Sequence, residues 1–275
     1  MKTGLERLIE QVDLAHEEAA SVEALARSVR AALQEHIATP GFALDCLERV
    51  LASPALADPG PVWRNPPIHA NKKLNYKFRV FFWSPGYINW PHQHNTWSVT
   101  GVLHNQSSIL VYVAADGPRS DQGSFIVERQ LVARAGEVGY LLPGCTHSVG
   151  NPGDSISATF HIFSDSPEEE RRRNDTIWYP TPKAENKLKG RRFKTLRGSA
   201  EMLANIGGPR STRLLNRIFE IGGPKVKLAC IKAMTTIDPS LALSRSEEFY
   251  ASLPASSYEE LSALLAAHRS SAQVH

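Results

Sequence analysis

The chemistry of this chain is concentrated in its histidines. His92 and His94 form a His-x-His unit in WPHQHNTW, and His147 follows about fifty residues later in LPGCTHSVGN. Side chains alternate faces along an extended strand, so His92 and His94 point the same way. Two imidazoles placed like this can chelate one ion, and a third completes a three-nitrogen set. Imidazole suits Fe, Cu, Zn and Ni, so ligand type alone does not name the metal. No Asp or Glu occurs from Pro59 to Ala115. The candidate ligands are His92, His94 and His147, and no carboxylate stands near the His-x-His unit in the sequence. Three neutral ligands leave a divalent charge uncompensated, which favours direct binding of an anionic substrate. Arg64, Lys72, Lys73, Lys77 and Arg79 share the acid-free stretch. An arginine there would suit a carboxylate, because its planar fork grips both oxygens.

These residues need a scaffold of short strands. From Leu74, apolar Leu74, Tyr76, Phe78, Val80 and Phe82 alternate with Asn75, Lys77 and Arg79. Strand-like runs follow in WSVTGVL, SILVYVA, SFIVERQLV, EVGYLL and ISATFHIF, with turn residues between most of them. Many short strands with regular turns predict an antiparallel barrel or sandwich. Residues 1–60 read as a helical segment, with Leu5, Leu8, Ile9 and Val12 on one face and a second pattern in PGFALDCLERVLASP. Residues 61–165 hold the barrel and 166–198 a charged connector. Residues 199–275 read as helices, with IGGP at Ile206 and Ile221 ending one helix and opening the next. SSYEELSALLAAH carries a capping box, Ser257 with Glu260, and predicts a last helix.

Gly86-x5-His92-x-His94, followed by Gly144-x2-His147-x3-Asn151, resembles the two-part signature of the cupins. The resemblance covers roughly residues 74–165. It implies a mainly β fold, a double-stranded β-helix barrel flanked by N-terminal and C-terminal helical segments. Cupins usually place a Glu ligand four or five residues after the second histidine, where this chain has Ser98 and Val99. PHQHNTWSVTGVL is similar to the ligand strand of the three-histidine thiol dioxygenases, which act on cysteine or 3-mercaptopropionate. That family carries Ser-x-His-x-Tyr on a late strand, and the matching positions here are Thr159, His161 and Phe163. The resemblance implies His161 and Thr159 as a catalytic relay, with the phenol replaced by an apolar ring. It also implies an arginine for the substrate carboxylate, either Arg64 or Arg79. Trp97 and Phe163 are expected to wall the pocket. The implied cofactor is Fe(II), with Zn, Ni or Cu as alternatives. The implied reaction adds both atoms of O2 to the sulfur of a small thiol. Two rivals use the same histidines: a cupin dioxygenase cleaving a C–C bond of a dicarbonyl or enol, and a non-catalytic metal-binding cupin.

Composition sets the outer limits. The chain has 275 residues, 42% hydrophobic and 21% charged, as globular proteins do. A net charge of +3 does not point to nucleic acid. Cys46, Cys145 and Cys230 are far apart and odd in number, which predicts no disulfide framework and fits a reducing compartment. The first twenty residues mix acids and bases without a signal-peptide core, and no run is long enough for a membrane span. The expectation is a cytoplasmic protein, open to homo-oligomerisation, whose partners are a small anionic molecule and O2 rather than nucleic acid or membrane.

Overall fold

The computed structural model describes residues 2–57, 65–114, 125–164, 176–178 and 191–250. The chain divides into two compact units, Met1–Arg191 and Arg192–His275.

The first unit opens with helices α1 (Gly4–Glu18), α2 (Val22–Ile37), α3 (Pro40–Ala52) and the single turn α4 (Pro54–Ala57). Local chemistry sets their starts. Thr3 and Glu6 form a reciprocal capping box on α1, and the Ser21 hydroxyl accepts from Ala24 N–H on α2. Leu5, Leu8 and Val12 are buried on α1, as their spacing predicts.

Among the described residues ten strands follow in two five-stranded antiparallel sheets. The first sheet runs β1 (His69–Asn71), β2 (Tyr76–Trp83), β9 (Ser157–Ser164), β4 (Ser98–His104), β7 (Val138–Leu141). The second runs β10 (Thr176–Trp178), β3 (His92–His94), β8 (His147–Gly150), β5 (Gln106–Ala114), β6 (Phe125–Arg134). From β2 to β5 and again from β6 to β10 successive strands alternate between the sheets, β1–β2 and β5–β6 pair within one sheet, and the β3–β8 and β4–β7 pairs close over long connections. This is the strand order of a double-stranded β-helix.

The two faces of the first sheet differ in kind. Tyr76, Phe78, Val80 and Phe82 are buried with Ala158, Phe160 and Ile162 on the helix-covered side. Phe160 makes edge-to-face contacts with Phe42 of α3 and with Phe78, each at 5.3 Å between ring centres. Such pairs contribute roughly 0.5–1.5 kcal/mol beyond area burial. Arg30 and Gln34 of α2 donate to the carbonyls of Val138 and Gly136 and tie the helix to the rim. The opposite face looks into the barrel and carries Lys77, Arg79, Phe81 and Trp83 of β2. The lumen is thus the more polar face, and the large apolar core lies outside it, beneath the helices.

The second unit contains α5 (Arg191–Ile206) from Arg192 onward, α6 (Gly208–Ile221), α7 (Pro224–Ile237) and α8 (Pro239–Tyr250). Phe219 packs on Phe249 and lies under the cations of Lys227 and Arg245. Both IGGP segments end one helix and begin the next, as their glycines and prolines predict.

Two expectations need correction. Helices account for about half of the described residues and strands for 28%, so the fold is not mainly β; the helical segments outweigh the barrel they flank. The stretch 166–198 is more than a connector. Thr176–Trp178 adds β10 beside β3, and α5 begins at Arg191. A three-residue strand has no readable periodicity, and the basic face of α5 obscured a helix that buries Leu196, Ala200 and Leu203. The helix expected around SSYEELSALLAAH lies outside the described residues.

Candidate metal centre

His92 and His147 face each other across the β3–β8 pair, and His94 lies two residues along β3 on the same face. Their ring centres are 4.3 Å apart for His92–His147, 5.0 Å for His92–His94 and 5.3 Å for His94–His147. One ligand atom from each lies within 4.8 Å of the others, and no Asp, Glu or Cys belongs to this group. Ordinary metal–imidazole lengths of about 2.1 Å let one ion sit among such atoms.

Backbone carbonyls orient two of the rings. His92 Nδ1 lies 3.0 Å from Trp90 O, and His147 Nδ1 lies 3.0 Å from Cys145 O. A carbonyl only accepts, so each Nδ1 carries the proton and each Nε2 keeps its lone pair for a ligand role. Burial is the main reason that His147 binds a proton less readily than usual, although its bond to Cys145 works the other way. Burial also lowers His94 to about 4, helped by repulsion from His147 and Lys77. Both rings are neutral near pH 7, the state in which imidazole binds metal. The donor set therefore fits a divalent ion.

The two halves of the sequence signature brace one another. Asn89 N–H donates to Val149 O, Val149 N–H donates to Asn89 Oδ1, and Asn151 N–H donates to Tyr87 O. A Cβ at Gly150 would stand 2.8 Å from Tyr87 O, so the crossing requires glycine. Gly144 has φ +82°, and its N–H donates to His94 O at 2.8 Å, joining the approach to His147 to the end of β3. Asn151 is buried and donates to Trp83 O and Ser155 O, closing the turn after β8.

The first sheet supplies the opposite wall. Thr159, His161 and Phe163 share the lumen face of β9. Phe163 lies 6.0 Å from the His94 ring and stacks on His161 at 5.3 Å and 8°. Thr159 Oγ1 accepts from Trp83 Nε1 at 2.7 Å and is 2.7 Å from His161 Nε2. His161 Nδ1 is 3.0 Å from Thr100 Oγ1. Both nitrogens of His161 thus meet hydroxyls, and Thr100 of β4 takes the second one. Burial foremost, then the neighbouring His94, His147 and Arg79, lowers His161 to about 3, so it too is neutral.

Other expected residues sort by strand parity. Arg79 pairs with His161 across β2–β9, and Lys77 pairs with Phe163, so both cations project from the lumen face. Trp97 does not wall the pocket. It is 4% exposed and packs 5.8 Å from the His16 ring of α1, on the helix side of the sheet. Trp97, Val99 and Gly101 share that side, whereas Ser98, Thr100 and Val102 share the lumen. Arg64 lies outside the described residues. Thr100 and Trp83 were not singled out from the sequence, and Lys77 stood there only as one of several cations in the acid-free stretch. The register opposite His161 and Phe163 identifies Thr100 and Lys77 once the strands are paired.

No family model and no curated protein matches the sequence. Among solved structures the chain is similar to recombinant oxalate oxidase in complex with glycolate, at 19% identity over 39% of this chain and 47% of that one, with a TM-score of 0.30. It is also similar to a cupin 2 conserved barrel domain protein from Salinispora arenicola CNS-205, at 19% identity over 41% and 75% of the two chains, with a TM-score of 0.27. A DMSP lyase from Ruegeria pomeroyi DSS-3 is similar at 14% identity over 40% and 46%, with a TM-score of 0.29. The match spans about half the length of the oxalate oxidase. The double-stranded β-helix is read from the strand order itself, and no helix among the described residues is long and apolar enough to cross a membrane.

Proposed function

We propose that this chain is a mononuclear cupin dioxygenase that holds Fe(II) on His92, His94 and His147 and oxidises a small anionic thiol. The observation that carries the reading is the all-histidine group, with Lys77 and Arg79 projecting from the facing lumen wall. Fe(II), when bound, supplies the oxygen chemistry. The balance is RSH + O2 giving RSO2− and H+, with both oxygens on sulfur.

The chain's own residues bind and orient. Arg79 offers its fork to a carboxylate on the substrate, and Lys77 adds positive charge beside the Phe163 ring. Phe163 presents an apolar face to the substrate body, where a phenol would offer a hydrogen bond. The substrate is therefore bulkier or less polar than cysteine. Thr159, His161 and Thr100 form a fixed hydrogen-bond chain that holds the lumen wall in place, and Trp83 anchors its outer end.

Metal analysis of purified protein followed by oxygen uptake tests this reading. Retained iron and uptake with thiols, with cysteine a poor substrate, support it. Efficient cysteine turnover that Phe163→Tyr does not improve would refute the role given to Phe163. Uptake with dicarbonyls and none with thiols would establish the C–C-cleaving class instead. Metal without uptake on either panel would indicate a binding cupin.

A further inference from the structure

The second sheet carries a residue that the metal site does not use. One row of cross-strand partners runs His92 on β3, His147 on β8, Val111 on β5 and Arg129 on β6. Directly paired residues share a face, so Arg129 points to the side of the sheet that holds the histidines. Strands lie about 4.8 Å apart, which puts the Arg129 Cα roughly 10 Å from that of His147. The long arginine side chain can cover much of this distance.

A bulge creates the alignment. Tyr112 pairs with Val127 and Val111 with Arg129, so Glu128 is the extra residue on β6. Without the bulge, Glu128 would stand opposite Val111 in the histidine row. The irregularity sets a guanidinium directly opposite Val111 and leaves Glu128 as the unpaired residue beside it, within electrostatic reach of Cys145. Bulges near active sites re-aim side chains in this manner. Arg129 is exposed and forms no ion pair or hydrogen bond among the described residues, not even with adjacent Glu128. Solvent reaches the same face beyond it, because Val113 and its partner Ile126 are 42% and 57% exposed.

We propose that Arg129 is a substrate-binding residue that holds a second anionic group, so that the substrate carries negative charge both near Arg79 and at the end toward β6. The proposal rests on the metal-site reading given above and names the substrate class of that site as small dianions. Arg129 acts on binding, not on the reacting atoms.

The test measures binding of acetate, propionate, malonate, succinate and glutarate to the metal-containing protein by calorimetry, with metal content determined alongside. At least one dicarboxylate should bind about tenfold more tightly than the monocarboxylates, a factor within reach of one charge-assisted hydrogen bond. Arg129→Ala should remove that advantage and leave monocarboxylate binding and metal content unchanged. Arg134→Ala, on the same strand, should keep the advantage. Equal binding of mono- and dicarboxylates by the wild type overturns the proposal, as does an advantage that survives Arg129→Ala. Absence of metal from wild type and variant alike would instead overturn the underlying metal-site reading.

Discussion

Acid should destabilise the metal-free protein through His161 by a calculable amount. Its pKa is lowered to about 3 in the folded chain, mainly by burial, against 6.5 for the unfolded one. A depressed histidine favours the neutral form in the fold. Its contribution is therefore complete above pH 6.5 and is lost as pH falls toward 3. Each unit is worth about 1.36 kcal/mol, so at pH 4.5 the loss is about 3 kcal/mol, rising to about 4 kcal/mol at pH 3. Other depressed histidines, including His94 and His147, titrate in the same direction, so total stability alone does not isolate His161. The comparison that does so is His161→Gln, whose amide can still meet Thr159 and Thr100 but does not titrate. Urea unfolding of chelator-treated protein at pH 7 and pH 4.5 gives the difference. The wild type should lose about 3 kcal/mol more than the variant over that range. Equal losses would show that His161 is hydrated or rearranged in the folded state, and the proposed neutral hydrogen-bond chain would fall with it.

Further outcomes follow from the same geometry. His92→Ala should abolish metal retention while circular dichroism still reports a folded barrel; full metal occupancy would exclude His92 as a ligand. Thr159→Val should cost about 2–4 kcal/mol, since it strips partners from Trp83 Nε1 and buried His161 Nε2, whereas Thr159→Ser should cost much less. A double-mutant cycle of Thr159→Val with Trp83→Phe should show coupling of at least about 0.5 kcal/mol; strict additivity would mean that the Trp83–Thr159 bond is absent. Trp97→Ala should destabilise by about 3–5 kcal/mol with metal content unchanged, and a loss of metal without a loss of stability would return Trp97 to the site.

The barrel was legible because its signals are local and redundant. Alternation in Tyr76–Trp83 marks a strand whatever it packs against, and the two glycine–histidine motifs sit where chain crossings restrict the backbone. Gly150 meets Tyr87 O, and Gly144 takes positive φ to reach His94 O. The helices α1 and α2 were equally plain, since apolar spacing and caps agree. β10 was not legible. Three residues carry no period, and what makes them a strand is the vacant edge of β3, which is a tertiary fact.

The misplacement of Trp97 has a more general cause. Alternation reveals that a strand has two faces but not which one looks inward. In a barrel open to solvent on its outside, the apolar parity would be the lumen. Here α1–α3 cover the outside of the first sheet, and Phe78, Phe160 and Phe42 make their core there. The apolar parity therefore points outward, toward the helices. The same inversion that turns Trp97 away from the histidines turns Lys77 and Arg79 toward them. A bulky aromatic two or three residues from a ligand is thus a poor guide to the pocket in this fold, whereas a charged residue on the polar parity of a central strand is a good one. That parity supports the proposed anionic substrate: among the described residues the cations on the histidine row and facing wall are Lys77, Arg79 and Arg129, and the β6 bulge sets Arg129 rather than Glu128 opposite Val111.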